Sequence, residues 1–330
     1  MWTHTESMCQ ISVCIPTYNS ARYLPEAIES VFAQDYGAYE LVVCDNASND
    51  GTQEVCARYG DPRFRYLRFD NHVGQAANWN RCLREARGDL VVLLHADDAL
   101  YPTFLGRAAT VLMEQKEVVF VHSAVEHVDA EGRPLFVTRL FPEHRLLDGE
   151  EVFRTLLLEG CVVNPAGTMV RRTAYQRVGL FTEAVVWGVD WHMWLRLSLE
   201  GTVAYLAHPL ARYREHAESG TASVIASARV GPDERCVIED IFSNLPEGRS
   251  YLRDVLGEAW RASAHRTWCQ AEVACRRGLG VATRRGIAQA VRTDPTLLGR
   301  SHLWALWAAS YLGYAWFEHI QRWKHRVVEN

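Results

Sequence analysis

The stretch LVVLLHADD, Leu90 to Asp98, decides the architecture: five apolar residues run straight into a polar segment that closes on two adjacent carboxylates. A short apolar run bounded by polar residues is the pattern of a strand covered on both faces. Four related runs share this part of the chain: ISVCI (11–15), YELVVC (39–44), RFRYLRF (63–69) and VVFVH (118–122). Segments of helical period lie between them, among them Arg22 to Gln34 and one ending at Arg87. Strand and helix alternating from Ile11 to about Phe120 predict an α/β fold with a mostly parallel sheet flanked by helices.

Punctuation refines the plan. Gly88 is expected to end its helix in a left-handed turn, and Pro102 to open the next helix, where a missing N–H costs nothing. Asp148, with Glu151 three residues on, reads as a capping box for a helix that Gly160 stops. From about 123 the alternation breaks into short strands and helices, and after about 230 no strand is legible. The expected division is 1–230, with halves 10–122 and 123–230, followed by a helical C-terminal appendage over 231–330. There is no internal repeat.

Composition narrows the function. The 330 residues are 48% hydrophobic and 23% charged, enough for a full core, with a net charge of -5. Residues 275–330 carry +6, which leaves -11 on the rest. A body that acidic is a poor binder of nucleic acid, because phosphate affinity comes mainly from Lys and Arg. The nine cysteines are odd in number and form no C-x-x-C pair, and Cys14 and Cys44 sit in apolar runs, so they read as reduced core thiols. The opening MWTHTESMCQ lacks the pattern of a signal peptide, and no run reaches the ~20 apolar residues that span a bilayer. A cytoplasmic location is the expectation.

In an open parallel sheet, ligands collect at the carboxyl ends of the strands. The first strand runs into Pro16-Thr17-Tyr18-Asn19, the second into the loop Asp45 to Thr52, and the fourth into His95-Ala96-Asp97-Asp98. Asp50 has two readings, a ligand contact or the N-cap of the following helix. Asp97 and Asp98 repel each other unless a cation or solvent screens them. Hard cations such as Mg²⁺ or Mn²⁺ take carboxylate oxygens and share their other positions with phosphates, so the pair reads as a metal-diphosphate site. The competing reading is a solvated turn leading to Pro102.

Taken together, ISVCIPTYN (11–19), the Asp45–Thr52 loop, NHVGQAANWN (71–80) and LLHADDALYP (93–102) resemble, in order and spacing, the family 2 glycosyltransferases of the GT-A fold. The resemblance covers roughly residues 10–220. It implies that Pro16, Thr17 and Tyr18 border a nucleotide, with Asn19 and Asn78 counted in the same set. It implies further that Asp45 meets the base, Asp97 faces the ribose or the metal, and Asp98 binds the metal. Many relatives carry Asp where this chain has His95, which is read here as packing or tuning the site rather than replacing a ligand.

Downstream, WGVDWHMWLRL (187–197) resembles the segment that supplies the catalytic base, which makes Asp190 the base and leaves an N-cap as its structural reading. Trp187 and, within NPAGTMVRR (164–172), Arg171 are placed on the acceptor side. His216 corresponds to a His near the diphosphate that contacts phosphate or metal. The implied chemistry is a single inverting displacement. A carboxylate deprotonates the acceptor hydroxyl while the cation neutralises the departing diphosphate.

The expected donor is a UDP- or dTDP-linked sugar. The acceptor is a hydroxyl on a glycan, lipid-linked intermediate or natural product. Because His95 and Val189 depart from the family pattern, a non-catalytic nucleotide-sugar sensor or scaffold is the alternative. A nucleotidyltransferase is disfavoured, since no Gly-rich basic loop follows the first strand.

The segment LWALWAASYLGYAWF (303–317) is apolar and aromatic, with Trp304, Trp307, Tyr311 and Tyr314 on one helical stripe flanked by Arg300, Arg322, Lys324 and Arg326. Two readings are open: packing against a neighbouring helix or a second copy in a homo-oligomer, and peripheral contact of 300–326 with the inner face of a membrane.

Overall fold

A computed structural model describes residues 11–217 and 220–316. The chain forms two compact units that interleave in sequence. The first holds the residues up to Phe153, Cys161–Glu183 and Val189–His216; the second holds Arg154–Gly160, Ala184–Gly188 and the chain from Ala217.

The first unit opens with β1 (Ile11–Thr17), α1 (Leu24–Phe32), β2 (Tyr39–Asp45), α2 (Thr52–Cys56), β3 (Phe64–Arg68), α3 (Gln75–Glu85) and β4 (Leu90–Leu93). Next come β5 (Ala99–Leu100), α4 (Phe104–Glu114), β6 (Val118–Val128), β7 (Pro134–Thr138), β8 (Arg145–Leu147) and α5 (Gly149–Glu159), which crosses into the second unit. Then follow β9 (Thr168–Arg171), α6 (Arg172–Val178), α7 (Val189–Ser198) and β10 (Thr202–Arg214).

The ten strands make one sheet in the order β3-β2-β1-β4-β9-β6-β10-β5, with β7 on β6 and β8 on β10. The half built from β1 to β4 is parallel throughout. Beyond it, β9 runs antiparallel between β4 and β6, and the parallel pair β6 and β10 follows. Every residue of β1 and β2 is buried, as apolar runs covered on both faces require. The core is one cluster in which Ile28 and Val31 of α1 and Phe104 and Leu105 of α4 close on Val13, Val43 and Val92 of the sheet.

At the amino ends of the strands a buried polar network fixes the α3–β4 turn. The Ser12 hydroxyl donates to Glu40 Oε1 at 2.6 Å and accepts from the Gly88 N–H at 2.8 Å; the Arg87 N–H reaches Glu40 Oε1 at 2.8 Å. Arg65 bridges Glu40 at 2.8 Å and Glu85 at 3.0 Å. Burial alone would push the Glu40 carboxyl up, but these hydrogen bonds outweigh it and hold it below the ordinary range.

Two expectations about turns are corrected here. The cap of α3, Ala86, is extended and Gly88 is not left-handed. A Cβ on Gly88 would stand 2.6 Å from the Ser12 nitrogen, so close approach to β1 demands the glycine. Pro102 precedes the N-cap Thr103 and stands outside α4 instead of opening it. At α5, Asp148 does cap the helix, accepting from the Glu150 and Glu151 N–H groups, and Gly160 ends it at φ +92°.

The described part of the second unit is helical: α8 (Gly220–Ser227), α9 (Val230–Ser243), α10 (Leu256–Arg276), α11 (Gly280–Thr293) and α12 (Ser301–Leu312), with the end of α5. Arg266 bonds the Leu157 and Leu158 carbonyls and pairs at 2.9 Å with buried Glu234. Leu303, Leu306 and Ala309 are the buried face of α12. Its outer face shows Trp304, Trp307 and Tyr311. Tyr314 leaves the expected stripe: Gly313 breaks the helix, and the Tyr314 hydroxyl pairs with Arg276 and Glu272 of α10. Phe317, Arg322, Lys324, Arg326 and the N-terminal ten residues lie outside the described residues. No helix among the described residues is long and apolar enough to cross a membrane.

Candidate functional site

In register, Thr17 of β1 stands opposite Asp45 of β2, so two of the polar loops leave the sheet at one level. They are laced together: the Ser48 hydroxyl accepts from the Asn19 N–H, and Asn19 Oδ1 accepts from the Asn49 N–H, both at 2.9 Å. Asn19 meets this demand in the left-handed region, at φ +50°. Asp50 accepts from the Ala21 and Thr52 N–H groups, but the N-cap of α2 is Gly51 at φ +95°, so Asp50 braces the turn before the helix instead of capping it.

Asp45 is fully buried, with Oδ1 held by the Ser48 N–H at 2.9 Å and Oδ2 by the Tyr66 hydroxyl at 2.5 Å. In this arrangement it braces the loop and offers no edge to a base. Pro16 lies within buried β1, whereas Tyr18 is 45% exposed and leans on the His72 ring at 4.1 Å. Asn78, from α3, donates to the Cys44 carbonyl at 3.1 Å.

The acidic pair follows β4 and is positioned by β5, whose two residues pair antiparallel with Ala211 and Arg212 of β10. That register carries Arg214 and His216 alongside the acids. The Arg214 N–H donates to Asp98 Oδ1 at 3.0 Å, its guanidinium reaches the Asp97 and Asp129 carbonyls at 2.9 and 3.1 Å, and it pairs with Glu26. His216 Nε2 lies 3.0 Å from Asp97 Oδ2. His95 stacks on Trp79 with ring centroids 5.0 Å apart, and its Nδ1 lies 3.7 Å from Asp98 Oδ2. Donor atoms of His95, Asp97 and Asp98 all fall within 4.8 Å of one another.

The two carboxyls are driven apart electrically. Burial and the neighbouring Asp97 push Asp98 well above the carboxylate range, although Arg214 opposes the rise. Burial works against Asp97 too, but the His216 hydrogen bond and the positive side of His95 hold it below that range. The first ionisation of the pair therefore falls on Asp97, and a bound cation would favour the ionised form of both.

Several buried polar atoms here have no protein hydrogen-bond partner: Thr17 Oγ1, Asn78 Oδ1, His95 Nε2, Asp98 Oδ2 and His216 Nδ1. Buried polar atoms are nearly always paired, so such a set at one end of a sheet points to a ligand. An orphaned carboxylate oxygen beside a second carboxylate fits a hard divalent cation.

Asp190 sits in the first turn of α7 and is not its N-cap, because the helix already starts at the buried Val189. Burial raises its carboxyl, against the Trp191 N–H, the charge of His95 and the Cys161 thiol, whose Sγ lies 3.6 Å from Oδ2. A raised carboxyl facing His95 suits a general base.

One expected acceptor-side residue is not brought here. Because β9 runs antiparallel, Arg171 pairs with Leu90 at the amino end of β4, where its guanidinium binds the Leu112, Gln115 and Val118 carbonyls. It closes the end of α4, at the opposite end of the sheet from the acidic pair. Trp187 belongs to the second unit, where its N–H donates to Asp233 at 2.9 Å. Arg214 and Trp79 escaped the sequence reading. Only the charge inside RYREH, two residues before His216, hinted at the first, and WN at the end of a helical motif at the second.

Residues 12–179 match the family model described as glycosyl transferase family 2. The chain is 31% identical over 229 residues to the uncharacterized protein MT1568 of Mycobacterium tuberculosis, covering 66% of this chain and 71% of that one. It superimposes on S. aureus TarS 1-349, solved in complex with UDP-GlcNAc, with a TM-score of 0.67 at 18% identity, over 96% of this chain and 92% of that one. On the mannosyltransferase PcManGT from Pyrobaculum calidifontis, in complex with GDP-Man and Mn²⁺, the TM-score is 0.57 at 18% identity, covering 93% and 84%. With the sheet order, the loop geometry and the family match in agreement, the chain belongs to the family 2 glycosyltransferases and carries their GT-A fold.

Proposed function

We propose that the protein transfers a sugar, with inversion, from a UDP- or dTDP-linked donor to an acceptor hydroxyl on a glycan, lipid-linked intermediate or natural product. The observation that carries the reading is the orphaned, buried Asp98 Oδ2 beside the ionised Asp97. Asp97 and Asp98 would hold Mn²⁺ or Mg²⁺, with His216 orienting Asp97 through their hydrogen bond. Such a cation supplies neutralisation of the charge that builds on the leaving diphosphate. Thr17, Tyr18 and Asn78 border the nucleotide. Asp190 takes the acceptor's proton as the new bond forms, which removes the charge that would otherwise develop on the attacking oxygen.

The nucleotide complexes of TarS and PcManGT support a nucleotide-sugar donor. The test is a thermal-shift panel of UDP, dTDP and GDP with and without Mn²⁺, since a ligand bound only by the folded state raises the melting temperature. A metal-dependent rise with UDP or dTDP is expected. No rise with any nucleotide defeats the reading.

The face of α12 that shows Trp304, Trp307 and Tyr311 adds a location to this reading. Between Cys275 and Trp316 the chain holds six arginines against one acidic residue, Asp294, a charge suited to anionic lipid. Cosedimentation with vesicles containing phosphatidylserine is expected for the parent and lost in Trp304→Ala/Trp307→Ala. Equal recovery of both in the supernatant removes the membrane from the proposal.

A further inference from the structure

We infer that His95 is a ligand to the bound cation, so that the site selects a transition metal such as Mn²⁺ or Co²⁺ over Mg²⁺. This rests on the metal reading above and adds to it the identity of a third protein ligand and the class of metal.

Geometry gives the first reason. The 3.7 Å between His95 Nδ1 and Asp98 Oδ2 is too long for a hydrogen bond. Two ligands each about 2.1 Å from one ion stand roughly 3–4 Å apart, and this pair meets that spacing. The donor atoms of the trio lie within 4.8 Å of one another, close to the span that ligands of one ion cover.

Position gives the second. Asp98 is 2% exposed, and its Oδ2, the oxygen facing the imidazole, has no hydrogen-bond partner. Trp79 lies against the flat face of the ring at an interplanar angle of 25°, and Phe181 meets Trp79 edge-on at 5.2 Å. The stack fixes the plane of the His95 ring. Trp79 is itself buried, so the stack is a rigid support of the kind that orients metal ligands.

Chemistry gives the consequence. Mg²⁺ takes oxygen ligands almost exclusively, whereas imidazole suits the first-row transition ions. Replacing an acidic ligand by imidazole also removes one negative charge, which weakens the hold on a hard cation most. The set of one nitrogen and two carboxylates therefore discriminates by ligand type.

The experiment follows Mn²⁺ bound to the full chain, alone and with UDP, by pulsed electron paramagnetic resonance, with Mg²⁺ competition as a second readout. The expected result is nitrogen modulation on the bound Mn²⁺ that changes when histidine is ¹⁵N-labelled, persists in His216→Gln and disappears in His95→Asp. The preference for Mn²⁺ over Mg²⁺ should fall at least about tenfold in His95→Asp, in line with the loss of one ligand. His95→Asn serves as the second variant, and the labelling result on the parent protein stands without any substitution. Saturable Mn²⁺ binding with no histidine nitrogen signal, or with a metal preference unchanged in His95→Asp, overturns the assignment of His95 while leaving the acidic pair as a metal site. Absence of saturable Mn²⁺ binding in the parent overturns both.

Discussion

The two ends of the central sheet are built on opposite rules. At the amino end, Ser12, Glu40, Arg65 and the backbone of Arg87 and Gly88 satisfy one another, and the buried carboxylate is held in its charged form. At the carboxyl end, Thr17, Asn78, His95, Asp98 and His216 each keep a buried atom without a partner, and burial raises the carboxyls of Asp98 and Asp190. The same strands thus carry a closed network that stabilises and an open one that waits for a ligand. Unpaired polar groups cost folding free energy, which functional sites tolerate because the ligand supplies the missing partners.

Substitutions can break the comparison. Asp98→Asn, at the open end, should abolish metal-supported nucleotide binding and lower turnover by about 10³-fold, while the melting temperature holds or rises. A destabilised Asp98→Asn protein would mean that this end, too, is a folding network. Asp190→Asn should retain donor binding and lose about 10²–10⁴ in turnover; unchanged turnover removes it from the base role.

The pH dependence sharpens the point. A base must be ionised, so the ascending limb of kcat/KM should lie above the usual carboxylate value of about 4. The sign for stability is opposite: with a raised folded value, the protonated Asp190 stabilises at low pH, and that contribution is lost as pH rises through the folded value. Asp190→Asn should therefore melt higher than the parent at neutral pH and converge with it in acid, as paired melting curves would record.

At the closed end the expectations reverse. Glu40→Ala leaves Arg65 without its buried partner and should cost about 3–5 kcal/mol in denaturant unfolding, with kcat of the folded enzyme unchanged. Gly88→Ala, which drives a Cβ to 2.6 Å from the Ser12 nitrogen, should cost about 1–3 kcal/mol by the same measurement. Loss of activity without loss of stability in either would contradict the division.

The parallel half of the sheet was legible because β1, β2 and β4 are short, apolar and covered, and their length and polar boundaries mark such runs as strands. The other half was not. The four residues of β9 leave too little pattern to show that they run antiparallel, and β10 contains Pro209 between two register shifts, a residue that normally argues against an interior strand. The acidic pair was legible as two adjacent charges after an apolar run. Arg214 was not, because its importance comes from joining α1, the β4 loop and the β6–β7 turn, segments far apart in sequence. Arg171 misled for the same reason: a terminal arginine reads as a free charge until the direction of its strand is known.

Among the described cysteines, two thiols are exposed: Cys161, 3.6 Å from Asp190, in the first unit, and Cys269, on α10 of the second. Each body thus offers an exposed attachment point for a spectroscopic label among the described residues. Paired spin labels would yield an interprobe ruler for their arrangement in solution, and a maleimide dye on Cys161 alone would report when the neighbourhood of Asp190 becomes occupied.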